Sequence, residues 1–80
     1  MHDPKKSRFL KRLGRHIAQV RASKAYSQDR LYLEAGFSRA TMSRIENGLV
    51  DPQIYTLQRI AETIGVPLTK LTSLPDDRKA

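Results

Sequence analysis

Residues 27 to 48 read SQDRLYLEAGFSRATMSRIENG, and this stretch decides the fold. Ser27 and Ser38 are natural helix N-caps, because a serine hydroxyl can accept one of the backbone N–H groups left free at a helix start. Between them, Gly36 supplies the positive φ that a sharp turn requires. The stretch therefore predicts two short helices, one from Gln28 to about Ala35 and one from Arg39 to Asn47.

Apolar residues spaced by three and four positions predict three further helices around this pair. The first covers residues 9 to 23, where Gly14 lowers the helix propensity by about 1 kcal/mol. Its apolar face comprises Phe9, Leu10, Leu13, Ile17 and Val20, and the opposite face carries Arg8, Lys11, Arg12 and Arg15. The fourth helix, residues 53 to 64, has an apolar face of Ile54, Leu57, Ile60, Ala61 and Ile64, and Pro67 opens a fifth that carries Leu68 and Leu71. With no strand pattern, the predicted fold class is all-α, a five-helix bundle.

The 80 residues are enough for one hydrophobic core, and 39% apolar with 29% charged residues is typical of a globular protein. We expect a single domain with its core at about 9–74, a basic N-terminal segment 1–8 and a frayed tail 75–80. No apolar run reaches the roughly 18 residues of a membrane span, so no membrane role and a cytoplasmic, nucleoid-associated location are expected. Without cysteine, and with only the isolated His2 and His16, we expect no metal or cofactor.

Charge is concentrated at the N-terminus of the chain. The formal net charge is +7, and residues 1–24 hold eight basic residues against the single acid Asp3. Residues 25–80 balance, with seven bases and seven acids. Such a distribution favours a polyanionic partner, although a solvated basic face without a partner has the same composition.

The second helix of the central pair has an outer face that suits DNA. With Met42 as the inward reference, Ala40, Ser43, Arg44 and Asn47 point away from the core on a helical wheel. A surface that enters the major groove needs small residues for close approach, arginine for guanine O6 and N7, and polar groups for phosphates. An ordinary solvated helix face is the alternative interpretation.

The run at 27–48, the loop to Pro52 and the segment IYTLQRIAETIGVPLTKL at 54–71 together resemble the lambda-repressor-like, Cro/C1-type (XRE) helix-turn-helix proteins. The resemblance covers roughly residues 9–74. It implies a DNA-binding transcriptional regulator whose third helix is the recognition helix, a homodimer on an inverted-repeat operator, and no enzymatic activity. An antitoxin-type module that binds a protein partner and regulates itself through double-stranded DNA is the alternative.

The resemblance also implies roles for individual residues. Arg39, Ala40 and Arg44 are expected to reach base edges, with Thr41 and Ser43 as secondary contacts. Gln28 is expected to touch a phosphate and to brace the first recognition residue, and Asn47 to meet the DNA backbone. The DNA-binding set is Gln28, Ser38, Arg39, Ala40, Thr41, Ser43, Arg44 and Asn47.

Two further positions carry structural expectations from the same resemblance. Arg21 and Glu46 match a pair that bridges helix 1 to helix 3, and helical wheels place both at the margin of the core. Tyr32 replaces the alanine common in the family, so it must lie along the surface or push helices 2 and 3 apart. The family also draws less charge from helix 1, so the basic N-terminal segment is expected to add phosphate contacts.

Dimerisation is expected through the C-terminal part of the chain. Leu68, Leu71 and Leu74 recur at three-residue intervals, and Tyr55 and Val50 border them. In a two-fold dimer this patch meets itself. The alternative is that these leucines cover the monomer's own core.

Overall fold

The computed structural model describes residues 3–75, which form five α-helices and, over this range, no strand. The predicted all-α, five-helix fold is confirmed. Asn47 caps the third helix instead of belonging to it, and Gln53 and Pro67 similarly precede the fourth and fifth. The helices are α1 (Pro4–Ser23), α2 (Gln28–Ala35), α3 (Arg39–Glu46), α4 (Ile54–Ile64) and α5 (Leu68–Thr72).

The two serines act as the sequence indicates. Ser27 Oγ accepts from the N–H of Arg30 at 3.0 Å, and Ser38 Oγ accepts from the N–H of Thr41 at 3.1 Å. Gly36 ends α2 with φ of 89°, a left-handed conformation that costs little only for glycine. These local interactions set the turn that holds α3 against α2.

Each helix contributes one completely buried side chain to a single core. The five are Ile17, Leu31, Met42, Ile60 and Leu71. Burial of a side chain of this size stabilises the fold by about 1.5 to 3 kcal/mol, so the core fixes all five helices relative to one another. The short α3 depends on this core for its stability and position, because an isolated helix of eight residues is not stable in water.

The expected start of α1 at residue 9 is wrong, because the helix begins at Pro4. Asp3 Oδ1 accepts from the N–H groups of Lys5 and Lys6 at 3.0 and 3.2 Å. Proline in the first turn has no N–H to satisfy, so the start is well capped without any apolar stripe. Residues 4–8 of the expected basic segment are thus the first turns of α1, and residues 76–80 of the expected tail lie outside the described range.

Two residues assigned to apolar faces are exposed instead. Phe9 is 49% exposed, and Ile54 is 64% exposed. Both lie near the N-terminal ends of their helices, where the helical period places a residue on the inner side but no other helix covers it. The periodicity therefore predicted the faces correctly and overestimated their length.

Two glycines permit a close crossing of α1 over the C-terminal end of α3. A Cβ on Gly14 would lie 2.6 Å from the carbonyl oxygen of Glu46 and closer still to that of Ile45. A Cβ on Gly48 would lie 2.6 Å from Cα of Lys11. Real Cβ atoms do not approach so closely. The helix-weakening Gly14 is therefore explained by packing.

Tyr26 fastens the start of α2 to the rest of the bundle. Its hydroxyl is 3.0 Å from a Glu34 carboxylate oxygen and 3.0 Å from the carbonyl oxygen of Thr63, and the Arg30 guanidinium lies 4.0 Å above its ring. Hydrogen bonds from Arg30 and Tyr26 lower the pKa of the Glu34 carboxyl. Tyr32, the expected irregular position, is half-buried and packs against the core.

Candidate nucleic-acid interface

The side of α3 that faces away from the core presents small, polar and basic groups. Met42 and Ile45 are buried and anchor the helix. The rest of the helix surface is open to solvent, with Thr41 and Ser43 half-exposed and Arg39, Ala40, Arg44 and Asn47 exposed. Ala40, Ser43, Arg44 and Asn47 lie on the side opposite Met42, and Arg39 is exposed at the start of the helix.

The hydroxyls at the start of α3 are arranged by its cap. Ser38 Oγ accepts from the Thr41 N–H and donates its hydrogen to Thr41 Oγ1 at 2.9 Å. Ser38 is thus engaged at both its donor and an acceptor position. The Thr41 hydroxyl hydrogen is left to point elsewhere, and it is the one that can reach a DNA acceptor.

Asn47 is folded back onto its own helix. Its Nδ2 donates to the Ser43 carbonyl oxygen at 2.9 Å and to Ser43 Oγ at 3.2 Å. An amide nitrogen has two hydrogens, and both are used here. The expected backbone contact by Asn47 requires its side chain to rotate, because phosphate oxygens accept hydrogen bonds and the free Oδ1 cannot donate.

The Glu46 carboxylate, at the end of α3, accepts three hydrogen bonds, two from Arg21 and one from Gln28. Arg21 donates from Nε to Oε2 at 2.7 Å and from Nη2 to Oε1 at 3.1 Å, and Gln28 donates from Nε2 to Oε1 at 2.9 Å. The side chains of Arg21 and Glu46 are only 17% and 7% exposed. Arg21 Nη1 also donates to the Tyr26 carbonyl oxygen at 2.8 Å. The one acid of α3 is thereby paired within the protein.

The position of Gln28 differs from its expected role. Gln28 was expected to touch a phosphate and brace the first recognition residue, whereas its amide N–H bonds Glu46 at the other end of α3. This contact joins the N-terminus of α2 to the C-terminal end of the recognition helix. Nothing in the local sequence signals it, since the two residues are 18 positions apart.

An open groove lies between α1 and the ends of α2 and α3. Its lining residues are Lys11, Arg15, Ala18, Gln28, Glu46 and Asn47. Arg12 does not line this groove. It shares a neighbouring groove with Arg15 and donates from Nη2 to the Pro75 carbonyl oxygen at 2.7 Å. Arg15 therefore borders both grooves, whereas Arg12 borders only the second of them.

The expected dimer patch is wrong at its centre. Leu71 has no exposed surface and belongs to the monomer's own core. Leu68 and Leu74 are half-buried and pack against that core, as does Val50. Tyr55 alone of the expected set is well exposed, at 68%. A five-helix bundle needs a buried side chain from its last helix, and Leu71 provides it.

Two properties of the described chain bear on other functional classes. Within residues 3–75, no group of three or more histidine, cysteine or acidic side chains is placed to hold a metal ion. None of the described helices is long and apolar enough to cross a membrane.

Comparison with known proteins agrees with this geometry. A family model described as helix-turn-helix matches residues 17–71. The chain is 30% identical over 67 residues to the uncharacterised HTH-type transcriptional regulator y4dJ of Sinorhizobium fredii, covering 84% of this chain and 87% of that protein. It is 37% identical over 60 residues to the HTH-type transcriptional regulator SlrR of Bacillus subtilis, covering 74% of this chain and 40% of that longer protein.

A solved structure shares the fold. The restriction-modification controller protein C.AhdI of Aeromonas hydrophila superposes with a TM-score of 0.76 at 20% identity, over 80% of this chain and 97% of that one. At this level of identity the similarity concerns the fold alone.

Proposed function

Because this chain belongs to the helix-turn-helix family, whose members are DNA-binding transcriptional regulators, we propose that it binds a specific operator with α3 in the major groove. Its action is binding and not catalysis. The observation that carries the proposal is the accessible face of α3, which is small, polar and basic and is held by buried Met42 and Ile45. The Glu46 network keeps the one acid of α3 away from phosphate.

Within this proposal the side chains divide by chemistry. Arg39 and Arg44 offer planar donor pairs that suit guanine O6 and N7, and Ala40 lets the helix approach the base edges closely. The hydroxyls of Thr41 and Ser43 supply secondary contacts. Gln28, Ser38 and Asn47 lie at helix ends, where they position the helix and face the DNA backbone after local rearrangement.

Selection of bound sites from a random DNA pool tests the class of function. We expect one enriched sequence arranged as an inverted repeat, with half-sites about 10 base pairs apart. Equal recovery of all sequences would contradict the proposal, because the protein would then bind DNA only through its charge.

Arg44→Ala is expected to weaken binding to the selected site by about 1 to 3 kcal/mol and to relax the preference at one position in each half-site. Arg44→Lys is the matched control, since it keeps the charge but loses the two-pronged donor geometry. Fluorescence anisotropy with the selected duplex and with single-base variants of it gives both quantities. A loss that is equal for all sequences would assign Arg44 to phosphate contact instead.

We further propose a homodimer, because one short helix reads only one half-site and nanomolar specific binding generally requires that contact twice. Exposed apolar residues are concentrated between positions 49 and 55, in the α3–α4 loop and the first turn of α4. Leu49, Ile54 and Tyr55 are 68%, 64% and 68% exposed. This 49–55 patch replaces the leucines of α5 as the proposed dimer surface.

Tyr55→Asp tests that surface, because a charge placed in a self-complementary apolar contact meets its own copy. We expect sedimentation at micromolar concentration to show a wild-type dimer and a folded Tyr55→Asp monomer. Leu33→Asp is the matched control, since Leu33 is 70% exposed on α2, outside the patch. A wild-type protein that stays monomeric with and without operator DNA rules out the dimer, and a dimeric Tyr55→Asp protein moves the interface elsewhere.

A further inference from the structure

We propose that one face of α1, made of Arg8, Lys11 and Arg15, binds phosphates of the same DNA duplex that α3 reads. These three residues are called the basic stripe below. The inference rests on the proposed function and adds a second contact surface to it, outside the helix-turn-helix itself. The family model matches residues 17–71, so the whole stripe precedes the matched region.

The three side chains share one line along the helix. They are spaced by three and four residues, which places them within a sector of about 60°. All three are exposed. From Arg8 to Arg15 the helix rises about 10 Å, whereas phosphates of one DNA strand recur about every 3.4 Å along the duplex axis. The stripe is therefore long enough to meet more than one phosphate.

The surface around the stripe is continuous with the recognition unit. Arg8 and Lys11 line a shallow groove with Pro4 and Ser7. Lys11 and Arg15 then line the adjoining groove that also contains Gln28 and Asn47, at the N-terminus of α2 and the end of α3. Since Lys11 and Gly14 cross directly over Gly48 and the last residues of α3, DNA bound by α3 comes close to this part of α1.

Three other basic residues of α1 have partners within the protein. Lys6 pairs with Asp51 at 3.6 Å, Arg12 bonds the Pro75 carbonyl, and Arg21 bonds Glu46. In the described part of the chain no carboxylate forms an ion pair with the basic stripe. The acid in the adjoining groove is Glu46, whose charge is paired with Arg21 and which also accepts a hydrogen bond from Gln28. Three neighbouring cations are thus left facing solvent beside the recognition helix.

The salt dependence of binding tests the inference directly. Each phosphate contact contributes about 0.9 to the slope of log K against log salt concentration. The double variant Lys11→Gln with Arg15→Gln is therefore expected to reduce the magnitude of this slope by about 1.8 for each bound protomer, or about 3.6 for the proposed dimer, while leaving the preferred sequence unchanged. Glutamine keeps the Cβ and Cγ atoms of Lys11 that pack against Gly48, so the crossing of α1 and α3 is retained.

The control is a double variant of the same net charge, Lys24→Gln with Lys70→Gln. Both lysines are exposed and lie outside the basic stripe, Lys24 as the C-cap residue of α1 and Lys70 on α5. Anisotropy titrations at several salt concentrations would use a duplex selected from the random pool and a mixed-sequence duplex of equal length, after thermal melts establish that all variants are folded. The control is expected to keep the wild-type slope.

The outcomes separate the two proposals. Suppose that the wild type binds the selected duplex and that the two double variants either both keep the wild-type salt slope or both reduce it equally. The proposal that the basic stripe binds phosphates is then overturned, and operator recognition by α3 stands. If the wild type prefers no sequence, recognition by α3 is overturned, and a slope lowered only by the stripe variant still identifies the phosphate surface. No measurable binding to either duplex overturns both.

Discussion

Replacing Glu46 with alanine is expected to lower the free energy of unfolding by about 2 to 4 kcal/mol. Removal of one partner from a buried ion pair costs about 3 to 5 kcal/mol, because the other charge stays buried without compensation. Arg21 retains 17% exposure and a bond to the Tyr26 carbonyl, which reduces the expected cost. Denaturant unfolding followed by circular dichroism measures the change.

Two further variants distinguish the loss of the Arg21–Glu46 interaction from the cost of leaving Arg21 buried without a partner. Glu46→Gln keeps the shape and one acceptor oxygen, so it is expected to cost less than Glu46→Ala. Arg21→Met combined with Glu46→Leu removes both charges, and it is expected to be less destabilised than Glu46→Ala alone. If the double replacement were the less stable protein, the favourable interaction of the pair would outweigh the burial of a lone arginine.

DNA affinity should follow stability in this series. In the proposed complex Glu46 is not a DNA contact, so at a temperature where the alanine variant is folded the DNA binding of that variant is expected to change little. The alanine variant also loses the hydrogen bond from Gln28 to Glu46. Any small loss of affinity in the folded variant is expected to come from the released Gln28 side chain. A variant as stable as the wild type but unable to bind DNA would place Glu46 among the DNA-contacting residues.

Much of the fold was predictable because its signals are local. Serine caps, the glycine turn and the three-to-four spacing of apolar residues all act within a few positions of the chain. The start of α1 was missed because Asp3 and Pro4 cap a polar segment that covers no core. Phe9 and Ile54 were assigned to the interior because a helical wheel shows where a side chain points and not whether another helix is present there.

The candidate site also combines features that the sequence predicts with features that depend on tertiary packing. The outward residues of α3 follow from its period and from the family resemblance, whereas the contact of Gln28 with Glu46 depends on how two helices meet. The bond from Arg12 to the Pro75 carbonyl could not be predicted, because the helical wheel places Arg12 on the same face as Arg8, Lys11 and Arg15, and the two bonded residues are 63 positions apart. Leu71 was misplaced because an apolar repeat on a short helix is equally compatible with a core and with an interface.

The close crossing of α1 over α3 is expected to reverse the usual stabilising effect of replacing a helical glycine with alanine. Gly14→Ala would normally strengthen a helix by up to about 1 kcal/mol, since glycine is the weaker helix former. Here the added methyl group meets the carbonyl oxygens of Ile45 and Glu46, which are backbone atoms and cannot turn aside. Overpacking of this kind costs typically about 1 to 3 kcal/mol, and occasionally more. Because the closest approaches involve two carbonyls, we expect an overpacking cost of about 2 to 3 kcal/mol. After the gain in helix propensity, the net destabilisation is about 1 to 2 kcal/mol.

Ala22→Gly on the same helix is the matched control, because Ala22 is exposed and its substitution reports helix propensity without any crossing. It is expected to destabilise by at most about 1 kcal/mol. Relief of the clash in Gly14→Ala requires α1 to move away from the end of α3, which also stretches the bonds from Arg21 to Glu46. Lys11 and Arg15 move with α1, away from the duplex that α3 is proposed to bind, so the variant should lose DNA affinity even where it is folded. A Gly14→Ala protein that is more stable than the wild type and binds equally well would show that α1 and α3 are not in close contact there.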